Sequence, residues 1–170
     1  MTNLTVRAAT PDDAAAICML VRELAEANGE ETSATPEFVS QYLCTPACAA
    51  LAAEADGRVI GFLSYYIHPN LYHAGPTALI EELVVSGDMR GAGVGERLVV
   101  AAIEAAKRAG CQEISVSTMY KNERAQRFYR RLGFRDDALL LEIHFDRADE
   151  GGPVREDGSS STVNQGEDSA

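Results

Sequence analysis

The stretch that most constrains the fold is Leu79 to Leu98, read as LIEELVVSGDMRGAGVGERL. An apolar strand pattern runs into a short turn, a glycine-rich loop and the first turn of an amphipathic helix. A helix start leaves backbone N–H groups without intrahelical partners. The glycines at Gly91, Gly93 and Gly95 let that backbone close around a diphosphate without Cβ interference. The local chemistry is a phosphate cradle, and the rest of the chain must say whose phosphate it holds.

Two common glycine loops fit poorly. A triphosphate-hydrolysing loop needs Lys and then Ser or Thr after its last glycine, whereas Glu96 and Arg97 follow Gly95. A dinucleotide fingerprint needs unevenly spaced glycines near the first strand, with an acid about twenty residues further on. Here the glycines are evenly spaced and sit in mid-chain.

The flanking sequence supplies the frame. Leu4–Ala9 reads as a strand, and Thr10-Pro11-Asp12-Asp13 caps a helix over 11–28 that Gly29 stops. Thr35-Pro36-Glu37 repeats the cap for a shorter helix carrying Phe38, Tyr42 and Leu43. Asp56-Gly57 between residues 47–55 and 58–67 is a strong hairpin signal. A loop over 68–76 then leads into a strand over 79–85. After the glycines, a helix over 94–109 places Leu98, Val99, Ala102, Ile103 and Ala106 on one face, and a strand over 113–118 follows. Strand, loop, helix and strand in that order make a β-α-β unit with parallel strands. A short helix over 122–132 and a last strand over 139–145 complete an α+β, or mixed α/β, chain whose sheet is antiparallel early and parallel late.

The chain has 170 residues and 46% hydrophobic content, which suits one domain over residues 1–146. Beyond Arg147 the composition turns to Gly, Ser, Asp and Glu, so 147–170 reads as a disordered acidic tail. The net charge of −11 argues against nucleic acid as a partner. The tail accounts for four of those charges, and the remaining acidic body suits a cationic substrate or simple solubility. No apolar run is long enough to span a bilayer, and the N-terminus opens directly into a folded-looking segment, so a cytoplasmic protein without membrane partners is expected. Cys18, Cys44, Cys48 and Cys111 read as buried reduced thiols, and no histidine stands near the Cys44/Cys48 pair to complete a metal set. No metal is expected.

Arg90-x-x-Gly93-x-Gly95 after an apolar strand resembles the acetyl-CoA diphosphate loop of the GNAT superfamily of N-acetyltransferases. Asn122, Phe128-Tyr129 and Leu132-Gly133-Phe134 resemble that family's second block, and the likeness covers roughly residues 4–146. The resemblance implies a central mixed, mostly antiparallel sheet, splayed at its parallel strand pair and flanked by about four helices. It also implies acetyl-CoA as cosubstrate, bound by Leu83, Val84 and Val85 along the thioester arm. The diphosphate would rest on Arg90, Gly91, Ala92, Gly93, Val94, Gly95 and Glu96, with Asn122 and Tyr129 nearby.

The implied activity is transfer of acetyl to a primary amine of a small cationic acceptor, by direct attack through a tetrahedral intermediate. A backbone N–H near Leu83 or Val84 would meet the oxyanion. Tyr129 matches the family's tyrosine that protonates the departing thiolate. Adjacent helical residues point about 100° apart, so of Phe128 and Tyr129 one should leave the core and face the cleft. Ile80-Glu81-Glu82 is similar to the segment of diamine and polyamine acetyltransferases in which the first acid is the proposed base. Glu81 is therefore the candidate base and Glu82 the alternate or an amine-binding group. On a regular strand the two lie on opposite faces. His68, Tyr72 and His73 belong to the loop that borders the acceptor site in this family. Alternatives are a protein N-terminal or lysine acetyltransferase and a non-catalytic acyl-CoA-binding module. Homodimers are common in the family, and no feature of the sequence marks one.

Overall fold

The computed structural model describes residues 4–143. Its five strands form one sheet in sequence order. β1 (Leu4–Ala8) runs antiparallel to β2 (Cys48–Ala55), with Leu4 opposite Ala55. Asp56 and Gly57 turn the chain with φ of 50° and 76°, the primed geometry that matches strand twist. β2 then pairs antiparallel with β3 (Arg58–Asn70), and β3 with β4 (Gly75–Val85). The last strand, β5 (Ile114–Val116), lies parallel to β4, as expected of the β-α-β unit.

The two long strands consume most of the expected loop. β3 runs on to Asn70 and β4 begins at Gly75, so His68 and Pro76 are strand residues and only 71–74 turn. The two prolines pair with each other at the far end of the hairpin. The expected strand over 113–118 shortens to three residues. The expected strand over 139–145 is not found in its described part, because 139–143 hold no helix or strand. The chain divides after Ala138. The proposed tail falls outside the described residues.

Helices cover both faces of the sheet. α1 (Ala14–Asn28) follows a 3-10 turn at Pro11–Asp13, which shortens the expected 11–28 helix at its start. It ends at Gly29, whose φ of 72° is the left-handed cap. α2 (Pro36–Leu43) is capped by Thr35, whose hydroxyl accepts from the Phe38 N–H at 3.2 Å. Together α1 and α2 bury Ile17, Leu20 and Val39 against Phe62 and Val84 on one face.

On the other face lie α3 (Val94–Arg108) and α4 (Glu123–Arg131). α3 buries Val94, Leu98, Val99 and Ala102 against Leu63, Tyr65 and Ile80. Each fully buried aliphatic side chain contributes about 1.5–3 kcal/mol. Gly61 permits this packing: a Cβ there would sit 2.9 Å from the Val84 carbonyl oxygen and 3.4 Å from both Val94 and Leu98. The alternation Phe62 down, Leu63 up on β3 thus fixes which face each later residue of the sheet must serve.

Among the cysteines only Cys18 is buried; Cys44 is exposed, and all four are free thiols. The expectation of four buried thiols holds at Cys18 alone: Cys48 and Cys111 are half-buried, and Cys44 closes α2 at the surface.

Candidate active site

The β3–β4 register breaks at one place. Ser64 faces Glu82 but Tyr65 faces Ile80, so Glu81 is an extra residue in β4 with no partner on β3. A bulge of this kind shifts the side-chain parity by one. Glu82 then shares a face with Val84, on the α1/α2 side, while Ile80 packs into the cluster on the α3 side. Glu81, before the shift, belongs to the same face as Glu82. Both carboxylates line one cavity, and the expectation of opposite faces is corrected: it holds for a regular strand, and this strand is not regular.

The cavity encloses about 460 Å³. Ile17 and Val21 of α1, Val39 and Leu43 of α2, and Phe62 of β3 supply apolar wall. Its polar groups gather near the bulge. Ser64, only 3% exposed, accepts from the Glu82 backbone N–H at 3.1 Å and donates to the Glu82 carboxylate. Glu81 is exposed, yet partial desolvation raises its carboxyl above the ordinary value, and the Glu82 charge raises it further. The Tyr42 hydroxyl is buried beside Ser64 and Cys48 and makes no hydrogen bond of good geometry to either. Desolvation pushes it well above the ordinary tyrosine value, with the neighbouring Cys48 and Glu82 adding to the shift.

Beyond the bulge the sheet splits. β5 pairs with Ala78–Ile80 and with nothing further along β4, whereas Leu83, Val84 and Val85 pair with β3 on their other edge only. Their second edge is the open side of a V. Below it, Gly91 and Gly93 have φ of 84° and 78°, and a Cβ on either would meet no atom within 4 Å. Gly93 is the N-cap of α3, so the N–H groups of Val94, Gly95 and Glu96 head the helix without intrahelical acceptors. An open glycine backbone, a helix N-terminus and a free strand edge fit the diphosphate and amide arm of an acyl-CoA. The Val94 side chain is buried, so it offers only its backbone, and Ala92 and Glu96 are exposed. Arg90 is turned back onto the protein. It donates to the Val85 carbonyl at 3.2 Å and to Glu23 at 2.9 Å, and Glu23 also accepts the Gly87 N–H at 2.8 Å.

Tyr129 and Phe128 both join the α3-side cluster, which corrects the expectation that one must leave it. Their rings meet edge-on at 5.1 Å, and Tyr129 meets Phe134 at 5.4 Å. The cluster wraps around α4 widely enough to take two rings 100° apart. Phe128 and Tyr129 pack with Leu83 and Val85 there, beside the open edge. Burial pushes the Tyr129 hydroxyl up to about 12. Asn122 spends its side-chain oxygen on the cap of α4, accepting from Ala125 at 3.0 Å.

The three loop candidates stand apart from the cavity. His68 Nε2 lies 3.2 Å from the Thr77 hydroxyl, His73 lies 3.4 Å from Glu113, and Tyr72 is 92% exposed. None of them lines the space that Glu81 and Glu82 share. In their place stand Ser64 and Tyr42, neither marked by the sequence. Ser64 carries a faint signal, two residues beyond Phe62 on the same face, but its partner Glu82 emerges only from the register.

The sheet opens at a bulge above a glycine-headed helix, and solved structures share the fold. A transcriptional regulator from Bacillus halodurans C-125 superposes with a TM-score of 0.76 at 28% identity, covering 84% of this chain and 100% of that one. Residues 17–134 match the acetyltransferase (GNAT) family, and the chain belongs to it as an N-acetyltransferase. An aminoalkylphosphonate N-acetyltransferase of Salmonella typhimurium is 33% identical over 76% of this chain and 84% of its own. An aminoglycoside N(6')-acetyltransferase type 1 of Klebsiella aerogenes is 32% identical over 65% and 74%. Among the described residues no helix is long and apolar enough to cross a membrane.

Proposed function

We propose that this chain moves an acetyl group from acetyl-CoA to the primary amine of a small cationic acceptor held between α1, α2 and the β4 bulge. The observation that carries this reading is the pair of carboxylates, Glu81 and Glu82, on one cavity face at the point where β5 leaves β4. Acetyl-CoA supplies the activated acetyl thioester. The N–H groups of Gly93 to Glu96 bind its diphosphate, and the free edge of Leu83 to Val85 pairs with its amide arm.

Glu82, fixed by Ser64, attracts the ammonium head. Glu81, the carboxylate of raised pKa, is the stronger base and takes the amine proton, directly or through one water. As the N–C bond forms and the C–S bond breaks, a backbone N–H near Leu83 or Val84 donates to the carbonyl oxygen. Tyr129, held protonated by burial, gives its proton to the thiolate.

The test is thiol release from acetyl-CoA across a set of primary amines, with mass spectrometry of the products. Amine-dependent release and an N-acetyl product are expected. Binding of coenzyme A with no release on any amine or peptide would make the chain a binding module instead. Release on peptides alone would make it a protein acetyltransferase.

A further inference from the structure

The acceptor's identity beyond its amine is written in what the cavity contains and what it lacks. We infer that the acceptor is a primary amine on an apolar body, aryl or alkyl, with no anionic group, and that Tyr42 helps select it. This rests on the acetyl-transfer reading above.

Charge excludes the zwitterions. Two carboxylates face the cavity, and among the described residues no Lys, Arg or His lines it. A phosphonate, phosphate or carboxylate on the acceptor would be taken out of water beside two like charges with no counter-ion, which disfavours its binding. The substrate class in the name of the Salmonella relative is therefore rejected here, despite the 33% identity. Polarity excludes the polyhydroxylated amines. Ile17, Val21, Val39, Leu43 and Phe62 form most of the wall, and the hydroxyls among the lining residues, such as Thr32 and Tyr66, are too few to replace the water that a sugar's hydroxyls would lose. An alkyl or aryl body gains instead in proportion to the apolar area it buries.

The head end is polar and built for one cation. Ser64 holds Glu82, Glu81 stands beside it in the bulge, and the Tyr42 hydroxyl lies buried beside Ser64 and Cys48 without a hydrogen bond of good geometry. A buried hydroxyl without a partner costs stability, and an ammonium N–H donating to it removes that cost. The phenol stays protonated at neutral pH, so it accepts from the cation without adding a third negative charge.

The experiment compares kcat/KM for phenethylamine, hexylamine, 2-aminoethylphosphonate, putrescine and kanamycin on the full chain, and repeats the best amine with Tyr42→Phe. Phenethylamine or hexylamine is expected to lead the phosphonate and kanamycin by at least about 100-fold, in line with an unpaired buried charge. Tyr42→Phe is expected to raise the amine KM by about 2- to 10-fold with a smaller effect on kcat, the range of one hydrogen bond. Its Tm should change little, since the hydroxyl makes no hydrogen bond of good geometry in the free protein. A lead by the phosphonate or kanamycin overturns this inference and leaves acetyl transfer standing, whereas putrescine, an alkyl amine without an anion, counts with phenethylamine and hexylamine. No turnover of any of these amines overturns acetyl transfer to a small amine, and this inference with it. An unchanged amine KM in Tyr42→Phe removes Tyr42 from the selection.

Discussion

Ser64 and Glu82 grip each other twice across the β3–β4 ladder: the serine oxygen accepts the Glu82 N–H at 3.1 Å while its proton goes to the Glu82 carboxylate. Because Ser64 is buried at 3% exposure, this fixes one of the two cavity carboxylates in place. Ser64→Ala leaves a buried N–H and a carboxylate short of a partner and should cost about 1–3 kcal/mol of stability. The acceptor KM should rise while coenzyme A binding, measured by calorimetry, stays as it was. A coenzyme affinity that falls in step would show that the serine supports the whole strand and not the acceptor end.

Glu81 sets a pH signature. Partial desolvation first, and the Glu82 charge second, lift its carboxyl above the ordinary value. A raised carboxyl in the native state makes that state the tighter proton binder, so this group favours folding at low pH and opposes it as pH rises through the folded value. Glu81→Gln should therefore melt at pH 7 no lower than the parent protein. Its turnover should fall by about 10²- to 10⁴-fold and lose the rise on the acid side of the rate profile. An acid limb that survives the substitution assigns the base elsewhere, with Glu82→Gln the next variant.

Tyr129→Phe separates chemistry from packing. The phenyl ring keeps the contacts with Phe128 and Phe134, at 5.1 and 5.4 Å, so Tm should hold. The lost hydroxyl, held up at about 12 in the parent, can no longer donate to a thiolate. Turnover should drop by about 10²- to 10⁴-fold with the acetyl-CoA KM changing far less. Full turnover in the variant would leave Tyr129 a core residue and nothing more.

Acid stability should trace to the first turn of the chain. Arg7 donates to both Asp13 oxygens at 2.7 and 2.8 Å and to Glu54 at 2.9 Å, tying β1 to the start of α1 and to β2. The Arg7 bond, the largest influence, lowers the buried Asp13 carboxyl from 3.8 to about 2. A depressed folded value stabilises wherever the unfolded carboxyl would ionise, so the gain is complete above about pH 5 and is lost as pH falls toward 2. It amounts to about 2 kcal/mol, or about 4–8 °C in Tm for a chain of this size. Asp13→Asn should melt lower by that margin at pH 7, with the gap closing in melts near pH 2.

Local chemistry carried most of the frame. Gly29, Gly57, Gly93 and Gly133 stand in left-handed backbone where turn and cap rules put them. Thr35 caps α2 and the β-α-β unit is parallel, because both depend on residues near in sequence. The site was legible only in part. Glu81 and Glu82 were recognisable as carboxylates at the right place, but their shared face was not, since one inserted residue in β4 reverses the parity of everything before it. His68 and Pro76 looked like loop because proline and histidine break local patterns, yet the long hairpin takes both into its far end, His68 opposite Thr77 and Pro76 opposite Pro69, where missing N–H groups are tolerated.

By itself the sequence determined the order of elements, the glycine-headed helix and the residue types available for acetyl transfer, all of which follow from dihedral preferences and periodicity along the chain. Only the tertiary structure decided which of those residues meet. The bulge opposite Ser64 is a register fact between two strands, and it alone turns Glu81 and Glu82 toward one cavity. Tyr42 enters that cavity because α2 packs beneath the sheet at a place its own eight residues cannot specify. Side-chain convergence depends on pairing and packing over long separations, and no local pattern encodes it.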